Sequence, residues 1–350
     1  MPSTEITSRL ADIYAQLIGS SALWPAVGLA ATALVGLLVI ALIARLAFGV
    51  IARIADAVSS RKRRQTQGYC IGVAPFAGRK GRVASAVLIE SLREDLKHFS
   101  FGAPYEVVSA PIPRATRTIG MRDIARRWLS RSSAEVMVWG HKDGKSTAPI
   151  KLDILSCQGS LTPREAKHSR VQLPANFARG NEAVHRAGVY LIARALQPGL
   201  AIATAFRPER LAPVADILTE ILANPDSLPD DTQLLLETDY CAMALHIGAE
   251  DGIDRVISMR RRRLSRPDVI DTEAQIAARI DLGRALLAKS EKSFDPVRVR
   301  EAMDHLKIAV ELLKLNPTIQ LATHTSNAVQ AGQRMLQNRQ RFSVTGGSSI

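Results

Sequence analysis

A long uncharged segment near the N-terminus constrains this chain more than any other feature. No Asp, Glu, Lys or Arg occurs between Ile13 and Ala44, and residues 23–44 are almost wholly apolar. About 20 apolar residues in a helix cross the hydrocarbon core of a bilayer, which is about 30 Å thick. A cleavable signal peptide would begin with basic residues and have a shorter apolar run. The segment therefore predicts a transmembrane helix over residues 23–49, in contact with the lipid bilayer.

Basic residues after this segment predict its orientation. Lys and Arg are retained on the cytoplasmic side of a bilayer, whereas residues 1–22 contain a single Arg. Residues 1–22 are therefore expected to be a short extracytoplasmic segment of a single-pass protein of the bacterial inner membrane, with its C-terminal domains in the cytoplasm. Residues 50–67 form a polar linker whose basic side chains are expected to contact anionic lipid headgroups. The four consecutive ones are Arg61, Lys62, Arg63 and Arg64.

Residues 68–160 are predicted to form a small α/β sandwich domain. Short apolar runs over Tyr69–Phe76, Tyr105–Ser109 and Ala134–Gly140 are typical of strands, and the amphipathic stretches between them are typical of helices. Strands that alternate with helices indicate a partly parallel sheet.

A fourth strand is predicted over Ile150–Ser156, after a turn at Asp143-Gly144. Residues of a strand point alternately to its two faces, and apolar residues alternate here with polar ones. Lys151 and Asp153 are therefore expected to face solvent.

The order of these elements resembles the N-terminal domain of TolB-like proteins. The residues that carry the resemblance are Ala74-Pro75-Phe76 after the first strand, Ala134–Gly140 and Ile150–Leu155. The resemblance implies the α/β architecture. Domains of this family bind other proteins or are uncharacterised, so it implies no catalytic residues. The compartment predicted here differs from that of the periplasmic namesake, and no β-propeller is expected to follow.

The second half of the chain is predicted to be helical. Residues 161–180 are a predicted linker, residues 181–340 a helical repeat-like domain, and residues 341–350 a disordered tail. Apolar residues recur at helical spacing, and Pro and Gly mark the joints between helices. The predicted helices span 182–205 with a break at 198–199, then 208–222, 230–247, 253–263, 272–289, 297–315 and 319–336.

Part of this region resembles a tetratricopeptide repeat. Leu282-Gly283 and Leu286 are similar to the first helix of the repeat, and Leu315-Asn316-Pro317 to its closing proline. Ala302, Leu306 and Ala309 are similar to the second helix. The fold class predicted from the whole sequence is a membrane-anchored α/β plus all-α protein with a tetratricopeptide-like helical array.

Two basic clusters are candidate binding sites. A glycine-containing turn at a helix N-terminus can present N–H groups and cations to a phosphate. The sequence Gly78, Arg79, Lys80, Gly81 and Arg82 has this character, but it has neither the spacing nor the Ser/Thr of a Walker motif. A second cluster is expected to contact a protein partner or an acidic surface, and contains Arg255, Arg260, Arg261, Arg262, Arg263 and Arg266.

No catalytic or metal-binding pattern is found in the sequence. The seven His residues show no i,i+3 or i,i+4 pairing with His or Cys, and there is no Gly-x-Ser-x-Gly motif. His141, Lys142 and Asp143 could form a small polar site, although a hairpin turn also explains them. We therefore expect no enzyme activity, no metal and no cofactor.

The expected function is that of a membrane-tethered cytoplasmic scaffold whose helical array binds a partner protein. Helical arrays offer extended concave binding surfaces. One alternative is a sensor that binds a small anionic ligand or nucleotide at Gly78–Arg82. A second alternative is a nucleic-acid-associated membrane protein, suggested by 46 Lys+Arg against 33 Asp+Glu, a net charge of +13.

Overall fold

In the computed structural model of the chain, residues 66–350 form one unit by their internal contacts. The residues that the structure describes are 34–39, 68–78, 80–110, 120–132, 134–142, 147–157, 165–224, 227–266, 271–315, 317 and 319–345.

The predicted membrane span is corrected by the structure. Among the described residues, no helix is both long enough and apolar enough to cross a membrane. Residues 34–39 are helical, and the rest of the 23–49 range lies outside the described residues. The prediction of a membrane-anchored fold at the inner membrane is therefore wrong, because it rested on composition and length alone.

The unit begins with a five-stranded mixed sheet. Its strands are β1 (Tyr69–Val73), β2 (Tyr105–Ser109), β3 (Val136–Lys142), β4 (Ile150–Ser156) and β5 (Lys167–Leu173). The order across the sheet is β2-β1-β3-β4-β5. β1 is parallel to both β2 and β3, whereas β4 and β5 continue the sheet as antiparallel strands.

Helices cover both faces of the sheet. α1 (Gly81–Asp95) connects β1 to β2, and α2 (Met121–Ser132) connects β2 to β3 on the other side of β1. The two crossovers run in opposite directions, so their right-handedness places the two helices on opposite faces. Leu88 of α1 and Leu129 of α2 accordingly belong to two separate apolar clusters.

The fifth strand lies where the sequence predicts a linker, within residues 161–180. β5 pairs with β4 along its whole length, from Ser156↔Lys167 to Ile150↔Leu173. Its sequence, Lys-His-Ser-Arg-Val-Gln-Leu, lacks an apolar alternation. Backbone pairing at the sheet edge, and not an apolar pattern, therefore determines this strand.

β5 also changes the position of Asp153. The sequence predicts that this side chain faces solvent, but its exposed fraction is 1%. His168 and Arg170 of β5 enclose the carboxylate. Asp153 is buried because β5, which the sequence predicts as a linker, contributes the polar side chains that cover it.

Among the described residues after the sheet there are seven α-helices, which are called the helical array here. They are α3 (Glu182–Leu196), α4 (Pro208–Leu222), α5 (Asp230–Ile247), α6 (Glu250–Leu264), α7 (Thr272–Lys292), α8 (Pro296–Leu315) and α9 (Ile319–Thr345).

Local sequence signals mark several ends of these helices. Asn181 and Asp271 accept hydrogen bonds from the backbone N–H groups of Val184 and Ala274 at the starts of α3 and α7. Gly248 ends α5 with a φ of 72°, a left-handed conformation that suits glycine.

One apolar core connects the sheet with the helical array. Ile71 and Leu152 of the sheet belong to the same buried cluster as Tyr190 of α3, Leu282 of α7 and Leu306 of α8. Both regions that the sequence assigns to separate domains therefore contribute to this core.

Substitution of two glycines of the helical array tests how closely its helices pack. A Cβ at Gly283 of α7 would lie 2.7 Å from Cγ of Leu306 in α8, whereas a Cβ at Gly252 of α6 would meet Ala244 Cβ at an ordinary 3.5 Å. We predict that Gly283→Ala lowers the free energy of unfolding by about 1–2 kcal/mol through overpacking.

Gly252→Ala is the matched control and is expected to raise the free energy of unfolding by about 0.5 kcal/mol, because it restricts the unfolded chain without a clash. Urea denaturation of the full chain measures both values. Equal stabilisation by the two substitutions would show that α7 and α8 are not held at this distance.

Candidate functional site

An apolar groove lies between α8 and α9, at the end of the helical array. It has a volume of about 420 Å³ and is open to solvent on one side. The residues that line it are Val310, Leu313 and Lys314 of α8 and Ala322, Thr325, Ser326, Val329 and Gln330 of α9.

The α9 side of the groove is one face of that helix. Ala322, Ser326 and Gln330 are four residues apart, and Thr325 and Val329 repeat the same spacing, so their side chains form two adjacent rows. The Thr325 hydroxyl donates a hydrogen bond of 2.6 Å to the carbonyl oxygen of Leu321. Thr325 is therefore satisfied within α9 and adds no free donor to the floor of the groove.

Packing beneath the groove holds α8 and α9 in place. Leu313 belongs to a buried cluster with Ile276 and Ile280 of α7 and with Ala309. Gly332 of α9 lies so close to α8 that a Cβ there would overlap the sulfur of Met303. The groove is thus preformed, since its walls are fixed by contacts on their opposite sides.

The rim of the groove carries an exposed charge. Lys314 Nζ lies 2.7 Å from Glu311 Oε1, and both side chains are about two-thirds exposed. Sequence reasoning assigned partner binding to the helical array but did not identify this groove. The available signal was the i,i+3/i+4 spacing of Ala322, Val329 and their neighbours along α9, where Val329 also packs against the buried core.

The predicted arginine cluster is divided by the structure. Arg260 has an exposed fraction of only 1%, and its Nη2 lies 2.7 Å from Asp281 Oδ2 of α7. Arg260 cannot contact an acidic partner surface, because its guanidinium is inside the helical array. The exposed members of the cluster are Arg255, Arg261, Arg262 and Arg266.

Buried polar side chains surround Arg260. Glu237 of α5 has an exposed fraction of 2% and lies 2.9 Å from Nη2 of Arg263 and 3.8 Å from Nη1 of Arg260. Gln233 Nε2 donates a hydrogen bond of 2.7 Å to the other Glu237 oxygen.

Burial raises the pKa of the neighbouring Cys241 thiol to about 12. Cys241 therefore stays a protonated thiol at neutral pH and is not a nucleophile.

The Gly78–Arg82 turn connects β1 to α1, and Arg79 lies outside the described residues. Gly78 has a φ of 92°, and a Cβ there would overlap the Lys142 carbonyl oxygen. A Cβ at Gly81 would likewise overlap the Phe76 carbonyl oxygen. Close backbone packing thus explains both glycines.

The start of α1 lies at the carboxyl end of β1, where open α/β sheets bind ligands. The helix has no side-chain cap, and Lys80 and Arg82 are exposed. Yet Ala77 is bridged to His141 of β3, which joins this turn to the neighbouring strand. Anion binding at Gly78–Arg82 stays a prediction.

Other predicted contacts lie partly or wholly outside the described residues. The residues expected to contact lipid headgroups are outside, namely Arg61, Lys62, Arg63 and Arg64. Asp143 is outside as well, whereas Lys142 donates a hydrogen bond of 2.6 Å to the Ala175 carbonyl oxygen. The ammonium group of Lys142 therefore has a structural partner.

A second polar cluster was missed by sequence reasoning because it depends on β5. Asp153 Oδ1 accepts hydrogen bonds of 2.9 Å from Arg170 Nε and from His168 Nε2. Arg122 Nη2 lies 3.1 Å from His168 Nδ1, and the His168 ring stacks on Trp139 at 5.8 Å. Both ring nitrogens of His168 are engaged, so neither is free to act as a general base in this arrangement.

The part of the chain that the structure describes contains no group of three or more His, Cys, Asp or Glu side chains arranged to hold a metal ion. Comparison of the chain with protein-family models, curated proteins and solved structures finds no match. The resemblances to TolB-like domains and to tetratricopeptide repeats therefore stay predictions.

Substitutions at two neighbouring arginines of α6 test whether the arginine cluster has a buried and an exposed part. Arg260→Ala is expected to lower the free energy of unfolding by about 3–5 kcal/mol, because it leaves the mostly buried Asp281 carboxylate without its cation, while Glu237 keeps only Arg263. Arg261 is exposed and pairs with Glu301, so Arg261→Ala is expected to cost less than about 1 kcal/mol. Chemical denaturation of both variants measures the difference, and similar losses would contradict the buried network.

Proposed function

We propose that residues 66–350 form a protein-interaction module that binds its partner in the groove between α8 and α9. The observation that carries this proposal is the groove itself, an apolar depression of about 420 Å³ that is open to solvent. Burial of apolar surface is the main favourable term in protein association. A preformed groove also reduces the conformational entropy that a partner must overcome.

The shape of the groove favours a macromolecular partner over a small molecule. Small-molecule sites enclose most of their ligand and place several polar groups around it. Here the floor is made of Val310, Leu313, Ala322 and Val329, and Lys314 is the charged residue of the lining. Such a surface fits an apolar side-chain row from another protein, whereas its open side would leave much of a small molecule exposed to solvent.

The same floor supports a protein partner over a nucleic acid. Nucleic-acid interfaces rely on Lys and Arg that neutralise phosphates. In the densest arginine cluster of the chain, Arg260 is buried, and Arg261 and Arg263 are paired with Glu301 and Glu237. These pairings leave less free positive charge than the sequence suggests.

The proposal is tested by site-specific photo-crosslinking. A benzophenone amino acid at Gln330 is expected to give a discrete adduct in cells that produce the full chain, whereas the same group at exposed Ala86 of α1 is expected to give none. The crosslinked protein is then purified and its affinity for the full chain measured. Adducts that form equally at both positions would contradict a dedicated groove.

A matched pair of substitutions completes this test. Ala322 and Ala86 are both exposed helical alanines, but Ala322 alone lines the groove. Ala322→Arg is expected to weaken binding at least tenfold, about 1.4 kcal/mol, because the long side chain occupies the groove. Ala86→Arg is expected to leave the affinity unchanged. A partner that binds the Ala322→Arg variant normally would show that the groove is not its site.

A further inference from the structure

We infer that the partner of the groove is an amphipathic α-helix with acidic residues beside its apolar row. This inference rests on the proposed function and adds the chemistry of the partner. It draws on two independent observations, the helical geometry of the groove and the charge of the residues around it.

The groove has the geometry of a site where a third helix packs against two others. α8 and α9 both pack on α7, and the groove lies between the sides of α8 and α9. Rows of side chains four residues apart on one helix fit between the rows of another. Within the array, α7 packs against both α6 and α8. Among the described residues, α9 is the last helix, and the groove it forms with α8 has the form that another helix would fill.

The charge of this end of the chain is one-sided. After Glu311 the sequence contains no Asp or Glu up to its last residue, but it contains Lys314, Arg334, Arg339 and Arg341. Arg334 is exposed and follows Gln330 by four residues, so it continues the row formed by Ala322, Ser326 and Gln330. Within the described parts of the chain it forms no ion pair. The basic side chains at the groove are therefore Lys314 on α8, which is paired with Glu311, and Arg334 at one end of the α9 row.

Lys314 can exchange its partner at little cost. It pairs with Glu311 three residues earlier on the same exposed helix face, and such surface pairs contribute little to stability. Acidic residues on a bound helix would contact Lys314 and Arg334 on either side of the apolar floor. This arrangement is the helix-in-groove mode, with charge complementarity that selects the partner.

The same charge distribution disfavours a second copy of this chain as the occupant. A two-fold symmetric dimer packs the same surface on both subunits. Here it would place two acid-free α9 helices against each other, with Arg334 and Lys314 of both copies nearby. Like charges across an interface are unfavourable.

Three synthetic peptides of about 18 residues, or five helical turns, test the inference with the full chain. All three carry the same apolar row, flanked by Glu in the first, by Gln in the second and by Lys in the third. Fluorescence anisotropy is expected to show that the Glu peptide binds at least tenfold more tightly than the Lys peptide. The difference is expected to shrink between about 50 mM and about 300 mM salt, because salt screens exposed charges.

Substitutions at the rim locate the source of the preference. Lys314→Gln and Arg334→Gln are each expected to weaken binding of the Glu peptide about threefold. Neither substitution is expected to change the affinity for the Gln peptide. Lys307→Gln is the matched control, since Lys307 is an exposed α8 lysine paired three residues back with Asp304 and lies outside the groove lining. It is expected to change neither affinity.

The outcomes separate this inference from the proposed function. Equal binding of the Glu and Gln peptides, or tighter binding of the Lys peptide, overturns the acidic-helix inference but leaves the groove as a binding site. If Ala322→Arg does not weaken binding of the Gln peptide, the groove itself is not the binding site, and both proposals fail. A dimer of the free chain that Ala322→Arg dissociates would instead identify a second copy as the occupant and overturn the inference.

Discussion

The burial of Arg260 is the constraint on which the rest of the helical array depends. A guanidinium with an exposed fraction of 1% must be neutralised and hydrogen-bonded within the protein. Asp281 of α7 and Glu237 of α5 supply the opposite charges, so α6 is fixed relative to both neighbouring helices. α7 in turn carries α8 and α9, which form the groove. The geometry of the α8–α9 groove thus depends on an ionic network that lies outside it.

Polar contacts also attach the array to the sheet. The Ser156 hydroxyl of β4 donates to the Ala195 carbonyl oxygen of α3, and the Thr232 hydroxyl of α5 donates to the Gln172 carbonyl oxygen of β5. Buried Asp239 of α5 accepts hydrogen bonds from Tyr190 and Arg194 of α3, and burial raises the pKa of its carboxyl. Unpaired groups at these positions would be costly, so the contacts specify how the shared apolar core is assembled.

Elements with a strong local signal could be predicted from the sequence, whereas features that depend on distant partners could not. The predicted bounds of α4, α5, β2 and β4 match the structure, because Pro208, Pro229 and Gly248 mark helix ends and apolar residues fill the strands. β5 has no such pattern and requires β4 as its template. The buried position of Arg260 requires Asp281, which is 21 residues away, and the groove requires the packing of α8 against α9. The apolar N-terminal segment shows the opposite error, a strong composition signal taken as sufficient for a membrane span.

The net charge of +13 gains a different meaning once the pairs are known. Several arginines of the densest cluster are matched by Glu237, Asp281 and Glu301, so that cluster holds helices together as well as facing solvent. The stretch after Glu311 has four basic residues and no acidic one. These residues are too far apart to form a basic cluster in the sequence. Unbalanced charge, and not the density of like residues, determines what an exposed surface attracts. By this criterion the electrostatic selectivity that we propose lies at the α8–α9 groove, next to its apolar lining.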